Sequence, residues 1–526
     1  MKIFSKIGAA IDYHFRMALR DFVEIETALD QSTLVTSNGA LVTVLRVEGS
    51  RVITSEKHAF YVSTSLSNAL ATFMNSPGHV VQAGYLSDPD RGAEYIDTMM
   101  VQVERTAKLL GLEMPDIFSE RRRFLPTYIR WEEVYVALWT TVNCLHKSEM
   151  EAAKDEFLTA SQGYPSAPNA QSPFKANDLL IPRHIAFVRA FLAAAKEQKL
   201  VVGRMHRDDA IRAIAGFATL SDVRSFKPRF PGDVLLSREP DYGDKSASAL
   251  LWPKLQDQLF NHDDVEQVTR TTVRINDRIF GSMDMMLGPV ETQPFQTLLN
   301  KFKDEGASIP WRYSMLIEGG GASAFGMKKL FATLLAFSNS ENKLLKNAIE
   351  NLRSMNQQDK VPLVKLRVSL ATWAPADDAK LLQRRMAILA RSFESWGQIQ
   401  ASMNNPDDPL EGLLSSTIGL HKKSTAPVNV APIGDAMMMM PMTRPAAIME
   451  RGSALFRTPD GKGIAYEPGT GLQTTWTDVY SAPPGSGKSV LLNTTNMAFL
   501  LSSRVVAGNA KPKLPRLSII DIGKSS

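Results

Sequence analysis

The chain of 526 residues is 44% hydrophobic and 22% charged, the make-up of a folded protein of two to four domains rather than a disordered or fibrous one. Its 60 basic and 55 acidic side chains leave a formal charge of only +5, spread along the chain, which is weak ground for a nucleic-acid or anionic-membrane partner. A single cysteine, Cys144, allows no internal disulfide and fits a reducing cytoplasm, and the most apolar later segments, 135–145 and 184–195, fall short of the roughly 20 residues a spanning helix requires.

At about 100° per residue, residues 2–20 place Ile3, Phe4, Ile7, Ile11, Phe15 and Leu19 on one arc, with Lys2, Lys6, Arg16 and Arg20 opposite. This is a basic amphipathic helix. Such a helix either lies on an anionic membrane surface or a partner, or covers the core of its own domain. Lys6 and Asp12 break its apolar run before signal-sequence length is reached. Next, TLVTSNGALVTVLRVEG (33–49) carries two β-branched runs around Asn38-Gly39. That dipeptide readily supplies two residues at positive φ, so the segment predicts the opening hairpin of an α/β domain. Helical spacing follows at 59–75, a strand at 79–86, and helices at 92–111 and 131–160. The Ser-, Pro- and Asn-rich stretch 161–174 reads as a linker.

Helices are expected near 184–198 and 206–215, before a Pro/Gly/Asp-punctuated region at 226–244. Strand-like runs at 267–276, 311–319 and 364–374, with a helix-like FQTLLNKFKDEG between the first two, predict a second mixed α/β unit. Helices over about 325–353 and 376–396 are expected to pack on it. Residues 424–446 hold four consecutive methionines, which suit either an adaptable partner-binding patch or a buried connector. No repeat of 20–50 residues recurs along the chain. The expected organisation is therefore an α/β domain over 1–160, a second mixed α/β region over 175–430, and a distinct segment over 445–526.

That last segment carries the motif with chemistry. Residues 482–489 read A-P-P-G-S-G-K-S, the [AG]-x-x-x-x-G-K-[ST] form of a phosphate-binding loop. Gly485 and Gly487 let successive N–H groups turn inward, and a helix starting near Lys488 adds its positive dipole end. Lys488 would reach the β- and γ-phosphates of ATP, and the Ser489 hydroxyl would ligate Mg²⁺. The nucleotide-binding positions are thus Ala482, Gly485, Ser486, Gly487, Lys488, Ser489 and Val490. TTWTDVY before the loop reads as a strand, and SVLLNTTNMAFLLSS after it as a buried helix.

Two other glycine stretches compete. In 317–329, Gly319, Gly321 and Gly326 miss the G-x-G-x-x-G spacing, so a strand-to-helix turn is the better reading. The second Gly-Lys-Ser, at 523–525, has Ser518 where the opening glycine or alanine belongs. RLSIIDIG (516–523) ends its apolar run in Asp521, which is either a Mg²⁺-holding carboxylate or the end of the strand after the first motor helix.

The run Phe-Arg-Thr-Pro-Asp-Gly at 456–461, Leu-Gln-Thr-Thr-Trp at 472–476 and Pro-Gly-Ser-Gly-Lys-Ser at 484–489 resemble the approach to the ATPase domain of the large cytoplasmic ATPases of type IV secretion and conjugation machines, the VirB-four class, in its TraU/IcmB (DotO) branch. The specific resemblance covers about 40 residues. It implies a RecA-like P-loop motor preceded by mixed α/β domains, of which 445–526 would be only the beginning. It also implies ATP and Mg²⁺ as cofactors, a homo-oligomer of hexameric type, and secretion-system partners at the cytoplasmic face of the inner membrane, with DNA or protein substrate met only indirectly. Asp521 then falls on the Asp-x-Gly strand end, and the catalytic carboxylates and cross-subunit arginines would lie beyond Ser526, leaving this portion inactive alone. A DNA-translocating coupling-type ATPase and a scaffold of the inner-membrane complex remain as alternatives.

Overall fold

The computed structural model describes residues 18–52, 55–152, 178–230, 255–260, 263–304, 308–324, 352, 354–356, 358, 360–403, 408–447, 449, 451–472, 477–481, 483–502 and 514–518. The expected linker at 161–174, most of the helix at 325–353, and residues 2–17 lie outside them.

The protein is mixed α/β, and its described residues build one 13-stranded sheet in which every ladder is antiparallel. Strands β1 (Ile25–Ala28), β2 (Thr33–Thr36) and β3 (Leu41–Ser50) form a meander, and helix α1 (Glu56–Met74) leads to β4 (His79–Asp88). Helices α2 (Gly92–Leu109) and α3 (Pro115–Phe124) then lead to β5 (Trp131–Thr140), which inserts between β3 and β4. Helix α4 (Leu180–Glu197) returns the chain to β6 (Leu200–Arg204) on the far end of β3, followed by α5 (Arg207–Thr219).

After α6 (Leu255–Leu259) the same steps recur. Strands β7 (Val265–Gln267), β8 (Thr272–Ile275) and β9 (Arg278–Leu287) form a meander, and α7 (Phe295–Asp304) leads to β10 (Trp311–Glu318). β11 (Leu363–Pro375) inserts between β9 and β10; α8 (Ala379–Glu394) returns to β12 (Gln400–Ser402) on the far end of β9; α9 (Pro409–Ser415) follows. Even the irregularity is shared, since β6 and β12 both join their partner through a register shift. The two units meet where β4 pairs with β10, from Ser87 opposite Trp311 to Val80 opposite Glu318. Antiparallel pairing of equivalent strands relates the units by an approximate two-fold at this seam. β3 and β9 begin at Leu41 and Arg278, a spacing far beyond the range in which short repeats announce themselves in sequence.

Helices cover both sheet faces. On one, Leu66 and Leu70 of α1, Phe187 and Phe191 of α4, Phe302 of α7 and Phe393 of α8 share one buried cluster with Val81, Ala83, Val136 and Leu138 of the strands. On the other, Ile214 and Phe217 of α5 and Leu413 of α9 pack against Val80, Ala137 and Trp139. This three-layer arrangement explains one correction: residues 131–140, expected to be helical, are β5. A strand covered on both sides shows a continuous apolar run instead of alternation, and such a run mimics a buried helix. The same residues include Val134, Tyr135, Val136 and Trp139, whose branched and aromatic side chains suit the pleated sheet. The expected hairpin at 33–49 is β2–β3, but its turn differs. Thr36 and Ala40 close a three-residue loop in which Gly39, at φ +77°, takes the left-handed conformation and Asn38 does not.

Two features seal the seam, one on each face. Arg312 of β10 is fully buried and has no carboxylate partner among the described residues. It donates to the carbonyls of Phe217 and Ala218 at the end of α5 (2.6 Å each), to Leu413 O of α9 (3.0 Å) and to Ser416 Oγ (2.8 Å). The C-terminal ends of two equivalent helices therefore face one guanidinium, whose charge complements their dipoles. Burial lowers its pKa to about 9, which leaves it charged at neutral pH. On the opposite face, β13 (Asn429–Pro432) and α10 (Ile433–Met438) bring in the methionine run. Met437, Met439, Met440 and Met442 are buried in the core, and Tyr313 Oη donates to Met439 O, so the run is a gap-filling connector and not an exposed patch. A separate hairpin, β14 (Ala454–Arg457) with β15 (Gly463–Tyr466), precedes the last helix, α11 (Lys488–Leu500).

Candidate nucleotide-binding loop

The loop forms where the motif places it. Pro483 O accepts from the Ser486 N–H (3.3 Å) and the Ser486 hydroxyl (2.6 Å), closing a turn through Pro484 and Gly485. Gly485 and Gly487 have φ of +78° and +90°, a region that costs any residue with a Cβ, and nothing lies within 4 Å of where those Cβ atoms would stand. Their conformation, not crowding, is what demands glycine.

Gly487 is the N-cap of α11 and no side chain among the described residues caps that end, so the first amides of the helix have no partner there among the described residues. Lys488, Ser489 and Val490 are exposed around it, and Lys488 makes no ion pair among the described residues. The fit to a polyphosphate is good in kind: an open cradle of left-handed glycines, an uncapped helix start and an exposed cation at one point. The Ser486 amide is the exception, being turned inward to Pro483. Of the expected site residues, Ala482 and Asp521 lie outside the described residues. Among the described residues no cluster of three or more His, Cys, Asp or Glu side chains gathers to hold a metal.

The competing stretch at 317–329 looks different where it is described. A Cβ on Gly319 would stand 2.4 Å from Ser76 O, and one on Gly320 2.7 Å from the Pro77 ring. These glycines permit close backbone packing and leave no open cradle.

Two expectations about the flanks need correction. Thr477–Tyr480, read as the end of a strand, is irregular chain with Val479 86% exposed, and among the described residues no strand lies alongside it. It is tethered instead by side chains: Tyr466 Oη donates to Asp478 Oδ2, and Tyr480 Oη to Thr495 Oγ1 at 2.8 Å. The helix after the loop does form, but it is not a buried one. Only Thr495 and Ala498 of α11 are buried, while Val490 is 71%, Leu491 38% and Leu492 43% exposed. Its C-terminal end is the anchored part. Met497 and Leu501 pack with Ile96, Met100 and Val103 of α2, Phe118 of α3 and Leu455 of β14. The loop thus projects from a helix held at its far end.

Sequence reasoning missed the anchoring residues. Thr458–Lys462, noted only for its resemblance, is the turn joining β14 to β15, and it docks on the sheet where Arg130 donates to Gly461 O (2.9 Å) and Lys462 Nζ donates to Glu48 O (2.9 Å). A Thr-Pro-Asp-Gly turn was legible as a turn; its target was not. No protein-family model matches the chain, and no curated protein matches it either. Among the described residues no helix is long and apolar enough to cross a membrane.

Proposed function

We propose that this chain is the ATPase component of a type IV secretion or conjugative transfer apparatus, with residues 445–526 forming the start of its P-loop motor and the sheet serving as the platform ahead of it. The observation that carries the reading is the open cradle itself: Gly485 and Gly487 at positive φ, an uncapped α11, and Lys488 exposed at its first turn. When bound, MgATP would supply the phosphoryl group whose hydrolysis energises assembly or translocation. Lys488 would hold the β/γ-phosphates by charge, Ser489 would hold Mg²⁺, and the amides of Gly487 to Val490 would orient the phosphate chain. The exposed apolar residues of α11 support the idea that more of a motor domain covers this helix, since a surface helix normally turns such residues inward.

Peripheral attachment at the inner membrane belongs to the same proposal. Leu19 is buried with Phe22 in the sheet's core, so a membrane or partner contact by residues 2–20 would fall to Ile3, Phe4, Ile7, Ile11 and Phe15. Homo-oligomerisation and secretion-system partners are part of the reading as well.

The test is binding of a fluorescent ATP analogue with Mg²⁺ by the purified chain, compared with Lys488→Ala. The reading expects measurable binding and at least a tenfold loss in the variant with an unchanged circular dichroism spectrum. Equal binding by both proteins would remove the nucleotide site. Little or no ATP turnover is expected from this portion alone, because phosphoryl transfer needs a positioned water and charge stabilisation that the loop by itself does not supply.

A further inference from the structure

Beyond Pro445 the described chain is attached by the apolar cluster under α11, by the bonds of Arg130 to Gly461 O and of Lys462 Nζ to Glu48 O, and by a buried knot of charge around Arg444. Arg444 sits in the connector, its carbonyl accepting from Ser50 N and the following Ala446 N–H donating to Ser50 O. Its guanidinium reaches three separate elements. It donates to both oxygens of Glu132 on β5 (Nη2 at 2.7 Å, Nε at 3.2 Å), to Gln296 Oε1 on α7 (2.9 Å), and to Asp460 Oδ2 in the β14–β15 turn. Gln296 Nε2 donates to the same Asp460 oxygen (3.1 Å), Thr458 Oγ1 donates to Asp460 Oδ1, and Tyr85 Oη of β4 donates to Glu132 Oε1 (2.9 Å). The side chains of Arg444, Glu132 and Asp460 are 2%, 3% and 6% exposed. The knot therefore joins the first unit, the second unit and the hairpin in one place.

We infer that this knot is a latch: it docks the hairpin and the loop it carries onto the two-unit sheet in an all-or-none manner. The physical ground is the asymmetry of buried charge. With Asp460 seated, the carboxylates of Asp460 and Glu132 lie near two cations, Arg444 and the buried Lys462 of the same turn, so the charges balance. A partly withdrawn Asp460 would stay shut from water with its carboxylate parted from Arg444, and an uncompensated buried charge is far costlier than a solvated one. Partial withdrawal has no stable position, so the segment is either seated or released, the property a two-state element requires. Burial alone would raise the Asp460 carboxyl, yet Arg444 and the hydrogen bonds from Thr458 and Gln296 hold it at about 2, so the latch stays charged through the neutral range. The other anchors are the bonds that Arg130 and Lys462 make at the same turn, which are lost with it, and the small cluster around Met497 and Leu501, which lies on α2 and α3.

Hydrogen–deuterium exchange on the full chain tests this with two variants, Asp460→Asn and Arg444→Met. The latch predicts that Arg444→Met speeds exchange in 454–466 and 488–500 at least tenfold while β4, β5, β10 and β11 keep their protection, and that Asp460→Asn does the same to a smaller extent. Unchanged protection of the hairpin in both variants would overturn it. So would an equal loss across the sheet strands, or failure of Asp460→Asn to fold, because either result makes the knot an ordinary part of the sheet's core. Neither readout involves nucleotide, so the outcome is independent of whether the loop binds ATP.

Discussion

The sheet and the loop segment are made of similar residues and treat them in opposite ways. In the sheet, Leu138 and Val136 are sandwiched between helices and wholly buried; in α11, Leu491 and Leu492 belong to an equally apolar run and face solvent. The difference lies in what surrounds them. β5 has strands on both edges and helices on both faces, whereas α11 is held by its last turns and the chain before it pairs with no strand among the described residues. Local sequence decides that a helix starts at Lys488. Only tertiary neighbours decide whether its apolar side chains have anything to cover them.

If that contrast is right, matched changes in the two regions must differ sharply in effect. The largest is expected at the seam. Arg312→Met would remove the donor to the Phe217 and Ala218 carbonyls and to the Ser416 hydroxyl, and one of several to Leu413 O, a loss of roughly 4 kcal/mol. Urea denaturation should show it as a fall in the midpoint of the whole sheet; a midpoint within error of the parent would mean the two units do not depend on this residue. Next comes Leu138→Ala in β5, a cavity in a close-packed layer, at about 3 kcal/mol.

Acid should act on the sheet as well. Burial lowers His184 to about 3 and both His79 and His421 to about 4, against 6.5 for the free side chain. The unfolded chain therefore takes up protons below pH 6.5 that the folded chain refuses until about pH 4, so stability is full above 6.5 and declines between those values. His184, which is bonded to the hydroxyls of Thr43 and Thr140, contributes the most. The melting temperature should drop steadily from pH 7 to 4.5, and His184→Gln should flatten that slope; an unchanged slope would show that His184 titrates normally. The smallest effect belongs to the loop segment. Leu492→Ser should alter stability by less than about 0.5 kcal/mol, and a loss comparable to that of Leu138→Ala would mean α11 is covered after all.

The same contrast explains what could be read from sequence. Helices at 56–74, 180–197 and 379–394 carry clear helical spacing, and the strands at 79–88, 311–318 and 363–375 stand between turn signals, so they were legible. β5 was not, because burial on both faces removed the alternation that marks a strand. β9 was passed over, its Gly281-Ser282 and Asp284 diluting the apolar pattern. The duplication was invisible because it lives in strand order and pairing, which dissimilar side chains can support equally. At the loop, glycines, lysine and helix start were all visible as spacing. The Arg444 knot was not, since Glu132, Gln296 and Asp460 are brought together only by the fold.

On the proposal above, Gly485–Val490 binds phosphate while the sheet serves as its platform. The most direct measurement is isothermal titration of the purified chain with MgATP, run in parallel on Lys488→Ala and on Leu492→Ser. Saturable binding to the parent and to Leu492→Ser, with at least a tenfold weaker constant for Lys488→Ala, is the predicted result. Binding that is absent from the folded parent, or that is indifferent to Lys488, would contradict it.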